Sequence, residues 1–137
     1  MAKRILCAID GTDHGKIALE TAAELARMTG AALEIAMVNA LLGGVRGPMI
    51  PAHDEAEVDK IISDASAQAR EKGAKNVIGT ILKSRDVAMA LVRYADENDI
   101  DHIVTGTGGK GSLTRFVLGS VASDVVNRAH CPVTVAR

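Results

Sequence analysis

Residues 106–120, GTGGKGSLTRFVLGS, hold five of the thirteen glycines in this 137-residue chain, beside Lys110, Arg115 and several hydroxyl side chains. Glycine loses more conformational freedom on folding than any other residue, so this density implies a backbone that turns sharply or lies close to something else. Cations and hydroxyls around such a backbone point to an anion, above all a phosphate. The first glycines follow the apolar run HIVTG (102–106), and VASDVVNRAHCPVTVAR completes the chain after Ser120.

Three phosphate motifs compete for the stretch. A P-loop ending at Gly109-Lys110 requires glycine at 104 and a hydroxyl at 111, where the chain has Val104 and Gly111, so that reading fails twice. Gly106, Gly108 and Gly111 spell GxGxxG after a predicted strand. The dinucleotide version, however, opens directly into a helix and needs an acidic residue about 20 positions on, at the end of a following strand. The single strand that remains has no such carboxylate. The third pattern is Gly106-x2-Gly109-x9-Gly119-Ser120.

The elements that must position these residues are read from periodicity. RILCAI (4–9), ALEIAMV (32–38), NVIGTIL (76–82), HIVTG (102–106) and PVTVA (132–136) are short apolar runs, read as five strands mostly buried on both faces. Helical spacing lies between them. Ile17, Thr21, Leu25 and Met28 mark one inner face before Gly30; Val58, Ile61, Ile62, Ala65 and Ala69 mark a second before Gly73. Ser84 is the expected cap of a third helix carrying Val87, Leu91 and Tyr94 inward, and Val121, Val125 and Val126 define a fourth. The alternation predicts an α/β domain with a parallel sheet and helices on both faces, its ligand site outside the carboxyl ends of the strands. Residues 39–53 are the one long connection. They are rich in Gly and Pro yet apolar at Leu41, Leu42, Val45, Met49 and Ile50, which suits a lid or a partner surface better than a mobile loop.

Composition narrows the function. The length suits a single domain, 1–137, and 47% apolar residues suffice for one core. Sixteen Lys and Arg against seventeen Asp and Glu, with no basic block, argue against a nucleic-acid surface. No apolar run approaches the ~18 residues of a membrane span and the N-terminal apolar stretch is too short for a signal peptide, so a cytoplasmic protein is expected. Cys7 and Cys131 form no CxxC or zinc cluster and read as reduced, buried thiols. His14, His53, His102 and His130 match no metal spacing and are expected at the surface or at helix ends. A phospho-receiver lacks its acidic cluster, a flavodoxin its aromatic partner, and a serine hydrolase its GxSxG.

The Gly106-x2-Gly109-x9-Gly119-Ser120 pattern resembles the ATP-binding signature of the universal stress protein family. ILCAIDGTDHG is similar to that family's first strand and Asp loop, ADENDIDHIVTGTGG to its fourth strand, and the C-terminal segment to its closing helix and strand. The resemblance implies an adenine nucleotide alpha-hydrolase-like fold, a doubly wound five-stranded parallel sheet in the order 3-2-1-4-5. It implies ATP as ligand, with magnesium on the phosphates. Ala8 and Ile9 would offer backbone groups to the adenine, Val38 would cover it, and Asp10 would approach the ribose or a phosphate-bound magnesium. Gly106 and Gly109 would form an anion nest. Gly119, Ser120 and Val121 would supply a helix N-terminus for phosphate, and Lys110 and Arg115 would lie on a flap across it. Where the family often has a basic or imidazole side chain, this sequence has Gly108. The resemblance further implies a homodimer through the last strand, with Val133 and Val135 at the interface. Three functions stay open: a nucleotide-dependent regulatory module that meets an unidentified protein partner, a slow ATP hydrolase, and a partner-binding module without turnover, with cyclic AMP as an alternative ligand. Each residue also has a plainer reading. The glycines are also compatible with simple turns, Asp10 with a cap of the first helix, and Lys110 and Arg115 with solvated charges.

Overall fold

The computed structural model describes residues 2–108 and 118–137. In chain order the elements are β1 (Arg4–Ile9), α1 (Asp13–Thr29), β2 (Ala32–Gly43), β3 (Met49–Pro51), α2 (Glu55–Glu71), β4 (Val77–Ser84), α3 (Val87–Glu97), β5 (His102–Gly106), α4 (Ser120–Arg128) and β6 (Val133–Ala136). The parallel strands lie in the order β4-β2-β1-β5-β6, with β1 central. This is the expected 3-2-1-4-5 arrangement once β3 is set aside.

Strand alternation splits the core into two layers. Ile5, Cys7 and Ile9 of β1, with Leu33, Ile35 and Met37 of β2, face α1 and α2. Leu6 and Ala36 face the other way, toward Ala88, Leu91 and Ala95 of α3 and Val125 of α4. The inner face of α1 differs from the expected one. Its buried residues are Gly15, Ala18, Leu19, Ala22, Ala23 and Ala26, whereas Ile17 and Met28 are 37% and 67% exposed. Small side chains let the helix axis approach the sheet, and that gain outweighs the larger residues a size-based reading would turn inward. On α4, Val126 is likewise exposed. The α2 face holds, with Val58, Ile62, Ala65 and Ala69 buried and Ile61 partly so.

Three further local expectations change. α3 is capped by Asp86, whose carboxylate accepts from the Met89 N–H at 3.0 Å. Ser84 instead supports the cap: its hydroxyl accepts from the Asp86 N–H and donates to the Asp86 carbonyl, both at 3.1 Å. The Met89 bond first, and then Arg128, hold the Asp86 carboxyl below its ordinary value. β4 is an edge strand buried mainly at Val77, with Ile78 and Ile81 exposed. The 39–53 connection is largely a hairpin: β2 runs on to Gly43 and pairs antiparallel with β3, Leu41 opposite Pro51 and Leu42 opposite Ile50. Gly43 and Gly44 turn the chain at φ 82° and 91°, a region costly for any side chain. Leu42, Val45, Met49 and Ile50 of this hairpin are exposed.

One charge is buried on the α3 side of the sheet. Glu34 is 1% exposed, its Oε1 pairs with the Arg4 guanidinium, and its Oε2 accepts no hydrogen bond among the described residues. Burial, above all, and also the Glu34 carboxylate push the nearby Tyr94 phenol up. Removing one partner of such a pair leaves a buried charge uncompensated, which costs more than replacing both. Arg4→Met is expected to lower stability by roughly 2 kcal/mol, reduced because the arginine is half exposed. Arg4→Met/Glu34→Leu should recover most of that loss in urea denaturation, and equal destabilisation by the two variants would refute this account.

Candidate functional site

A crevice of about 240 Å³ opens at the carboxyl ends of β1, β2 and β5, beside the first turns of α1 and α4. Its placement follows from the strand order. α1 and α2 cross on one face, α3 and α4 on the other, so the connections leaving β1 and β5 diverge and expose the cleft between them. Ala8, Ile9 and Asp10 form one wall, Met37, Val38 and Ala40 a second, and Thr105, Gly106 and Gly108 a third. Val121 and Ala122 of α4 and Val87 and Leu91 of α3 close it.

Of the residues singled out from sequence, Ala8, Ile9, Asp10, Val38, Gly106 and Val121 therefore meet at one cavity. Gly119 is the N-cap of α4 and Ser120 its first residue, directly before Val121. Gly109, Lys110 and Arg115 lie outside the described residues. Asp10 sits in a turn of its own making: its Oδ1 accepts from the Thr12 N–H at 2.9 Å and from the Thr12 hydroxyl at 2.5 Å. It does not cap α1, whose N-cap is Thr12.

Two of the glycines have a steric role that the motif does not announce. A Cβ on Gly106 would stand 2.5 Å from the His14 carbonyl oxygen, so the end of β5 packs backbone to backbone against the start of α1. A Cβ on Gly119 would stand 1.7 Å from the Gly108 carbonyl oxygen. Gly119 has φ −62°, which any residue adopts, so close approach alone requires glycine there. The approach is fastened by the Gly119 N–H donating to the Thr107 carbonyl at 2.7 Å. Gly108 sits at φ +58° with open space on its Cβ side.

Sequence reasoning missed two imidazoles. His14 and His53 do sit at helix ends as expected, His14 in the first turn of α1 and His53 just before α2, but both line the crevice. His14 Nδ1 lies 3.1 Å from the Thr107 hydroxyl. His53 is fixed through its backbone: the buried Asn39 side chain accepts from the His53 N–H at 3.0 Å and donates to its carbonyl at 2.8 Å, while His53 Nδ1 lies 2.8 Å from Glu57 Oε1. The available signal was position, since His14 falls one helical turn past the carboxyl end of the first strand. The other two histidines stay away from the crevice, His102 on Thr134 and His130 on Asp96. Both cysteines are free; Cys7 is fully buried and its thiol is pushed up to about 12 by that burial, while Cys131 is half-buried.

The arrangement joins a largely apolar slot, the glycine-bearing end of β5 and the N-terminus of α4. The profile described as the universal stress protein family matches residues 1–137. The chain belongs to this family. It is 32% identical to universal stress protein YxiE of Bacillus subtilis, over the whole of both chains. It is 29% identical to a universal stress protein from Archaeoglobus fulgidus solved in complex with dAMP, covering 100% of this chain and 98% of that one, with a TM-score of 0.74. A universal stress protein solved in complex with cAMP shares the fold at 24% identity and a TM-score of 0.78, covering 99% of this chain and 97% of that one. The family's adenine nucleotide alpha-hydrolase-like architecture is thus the one found here.

The two close approaches generate a prediction on the fold alone. Gly119→Ala cannot be accommodated without moving the 107–108 backbone, so it should break the Gly119–Thr107 bond and lower stability by about 1 to 3 kcal/mol. Ser120→Ala, at an exposed helix start, should change stability by under about 0.5 kcal/mol. Thermal unfolding with amide chemical shifts at Thr107 and Gly119 checks this, and two variants of equal stability would contradict it.

Proposed function

We propose that this universal stress protein binds ATP, carried with Mg2+, in the crevice between β1, β2, β5 and α4, and acts as a nucleotide-dependent regulatory module in the stress response. The observation that carries the reading is the closure of the β5 end onto the α4 start through Thr107 and Gly119. It sets unpaired amides and the positive end of a helix beside an apolar slot on the same cavity. Kinship with the dAMP-bound Archaeoglobus fulgidus protein supports an adenine nucleotide in that slot.

The roles follow from position. Ala8 and Ile9 offer backbone groups at the slot's edge, Val38 covers the base, and Asp10, with one oxygen held by Thr12, faces the sugar. Gly106, Gly119, Ser120 and Val121 form the phosphate end, where Gly109, Lys110 and Arg115 are proposed to join them. Among the described residues no three His, Cys, Asp or Glu side chains converge on one point. Magnesium therefore fits best as a partner of the phosphates, which it usually binds with most of its waters retained. Nucleotide occupancy is coupled to the 39–53 segment, whose Ala52 and His53 line the crevice while its hairpin carries the exposed apolar residues toward a protein partner. Among the described residues no helix is long and apolar enough to cross a membrane. The place of action we propose is the cytoplasm.

Denaturing the purified protein should release an adenine nucleotide identifiable by mass. In calorimetry, Ser120→Ala should weaken ATP binding by about 1.5 to 3 kcal/mol through loss of a hydrogen bond to a charged group. ATP binding unchanged in both Ser120→Ala and a folded Gly119→Val would remove the site from this position. Ordinary enzymatic turnover of ATP, abolished in Asp10→Asn, would replace the binding reading with a hydrolase.

We also propose a homodimer through β6. Among the described residues this strand pairs with β5 alone, and its edge carries neither an inward charge nor an interior proline to deter a second strand. Val133 packs partly onto its own core and Val135 is half exposed. Val135→Lys places like charges near the two-fold axis and should convert dimer to monomer at tens of micromolar in light scattering. A monomeric wild type, or a fully dimeric variant, would rule the interface out.

A further inference from the structure

We propose that His14 is a specificity-determining residue of the crevice, its Nε2 donating to a phosphate oxygen of the bound nucleotide when the imidazole is protonated. The inference rests on the adenine-nucleotide reading and adds to it a residue that selects phosphate-bearing ligands over the bare nucleoside and makes their affinity depend on pH.

Three observations place the ring. His14 stands in the first turn of α1 and lines the crevice together with Gly106 and Gly108, the glycines of the phosphate end. Its backbone cannot drift, because the His14 carbonyl is wedged against Gly106. Its ring is oriented through Nδ1, which lies 3.1 Å from the Thr107 hydroxyl, while Nε2 has no hydrogen bond among the described residues. Thr107 is also the residue whose carbonyl receives the Gly119 N–H at the start of α4. One residue thus ties the imidazole and the helix N-terminus into a single frame. Beside it, Gly108 contributes no side chain and leaves open space.

Among the described residues, the surrounding charges leave this role to His14. On α1, Asp13 and Lys16 pair with each other at 3.6 Å. α2 brings Asp64 to the far flank of α1, beside Lys16, in a separate hollow. The loop after β1 brings Asp10, whose Oδ1 is occupied by Thr12. Across the crevice His53 is paired with Glu57. Thr105, Gly106, Thr107 and Gly108 carry no titratable side chain, and the first turn of α4 has no acidic residue. A protonated imidazole is a charge-assisted donor, roughly twice as strong toward an anion as a neutral one. An imidazole also changes charge between about pH 5 and 8, so the contact strengthens as pH falls through that range. By linkage, bound phosphate raises the proton affinity of His14 by the factor that protonation raises phosphate affinity.

The test is calorimetric titration of the full chain with ATP and with adenosine at pH 6 and pH 8, for the wild type and His14→Gln. Glutamine retains a hydrogen-bonding group for Thr107 but does not titrate, and taking the ratio of the two proteins at each pH cancels the titration of ATP itself. At pH 6 the wild type should bind ATP about tenfold more tightly than His14→Gln, the ratio falling toward one at pH 8. Adenosine should bind both alike at either pH. In the wild type alone, the His14 ring resonances should titrate at higher pH with ATP present and be unmoved by adenosine. Wild-type ATP binding with a ratio that does not change between pH 6 and pH 8, an equal loss toward adenosine, or a His14 titration indifferent to ATP would overturn the inference and leave the nucleotide reading standing. Failure of the wild type to bind ATP or any other adenine nucleotide would overturn both.

Discussion

Backbone crowding at the carboxyl end of β5 is the constraint on which the site depends. Three segments pass within van der Waals distance there: the first turn of α1 at His14, the strand end at Gly106, and the start of α4 at Gly119 against Gly108. Because main-chain atoms supply both sides of each contact, no rotamer change relieves a side chain introduced between them. Either the residues stay glycine or the elements separate. The crowding fixes where the α4 N-terminus stands relative to β1 and β5, and so brings Val121 and Ala122 of its first turn to the crevice wall.

The same geometry reaches back into the core. α1 can bring His14 to Gly106 only if its body lies close to β1 and β5. Its buried face allows this through Gly15, Ala18, Ala22, Ala23 and Ala26. Gly15 completes the approach, since a Cβ there would stand 3.1 to 3.3 Å from Asp10 and Ile9. The Asp10 turn is therefore seated on α1 from below and held in shape by Thr12 from within. On the opposite face of the sheet, α3 and α4 pack through Leu91 and Val125 and close the crevice from the other side. Site and core therefore share the same contacts.

Much of this was legible in the sequence because it is written in period and spacing. The parallel strands and the α2 face followed from apolar runs and helical repeats, and the glycine spacing singled out Gly106 and Gly119, beside which β5 and α4 meet. Strand order was not accessible to periodicity and came from the family resemblance. The failures have a common physical origin. The α1 face was misread because burial there is decided by how closely a helix must lie, which favours alanine over Ile17 and Met28. The hairpin was hidden because Gly43 and Gly44 look like loop punctuation when their left-handed conformations reverse a strand. Asp86 displaced Ser84 as a cap because the two bond to each other, and only coordinates show which of them reaches the Met89 amide.

The glycines of residues 106–120 thus answer to two demands at once. The anion-nest reading treats them as room left for a phosphate, yet at Gly106 and Gly119 the space is already filled by the protein's own carbonyls. Their first role is to let β5, α1 and α4 converge, and convergence is what gathers the helix dipole, the free amides and an imidazole on one side of the crevice. On the proposed reading, a glycine motif of this kind specifies ligand chemistry indirectly, by permitting an approach of elements that suits a phosphate. At Gly108 the logic differs: its carbonyl packs against Gly119, but its φ is left-handed and the space on its own Cβ side is open. It is there that the absence of a side chain leaves the crevice wall to a neighbouring element, His14 in the first turn of α1.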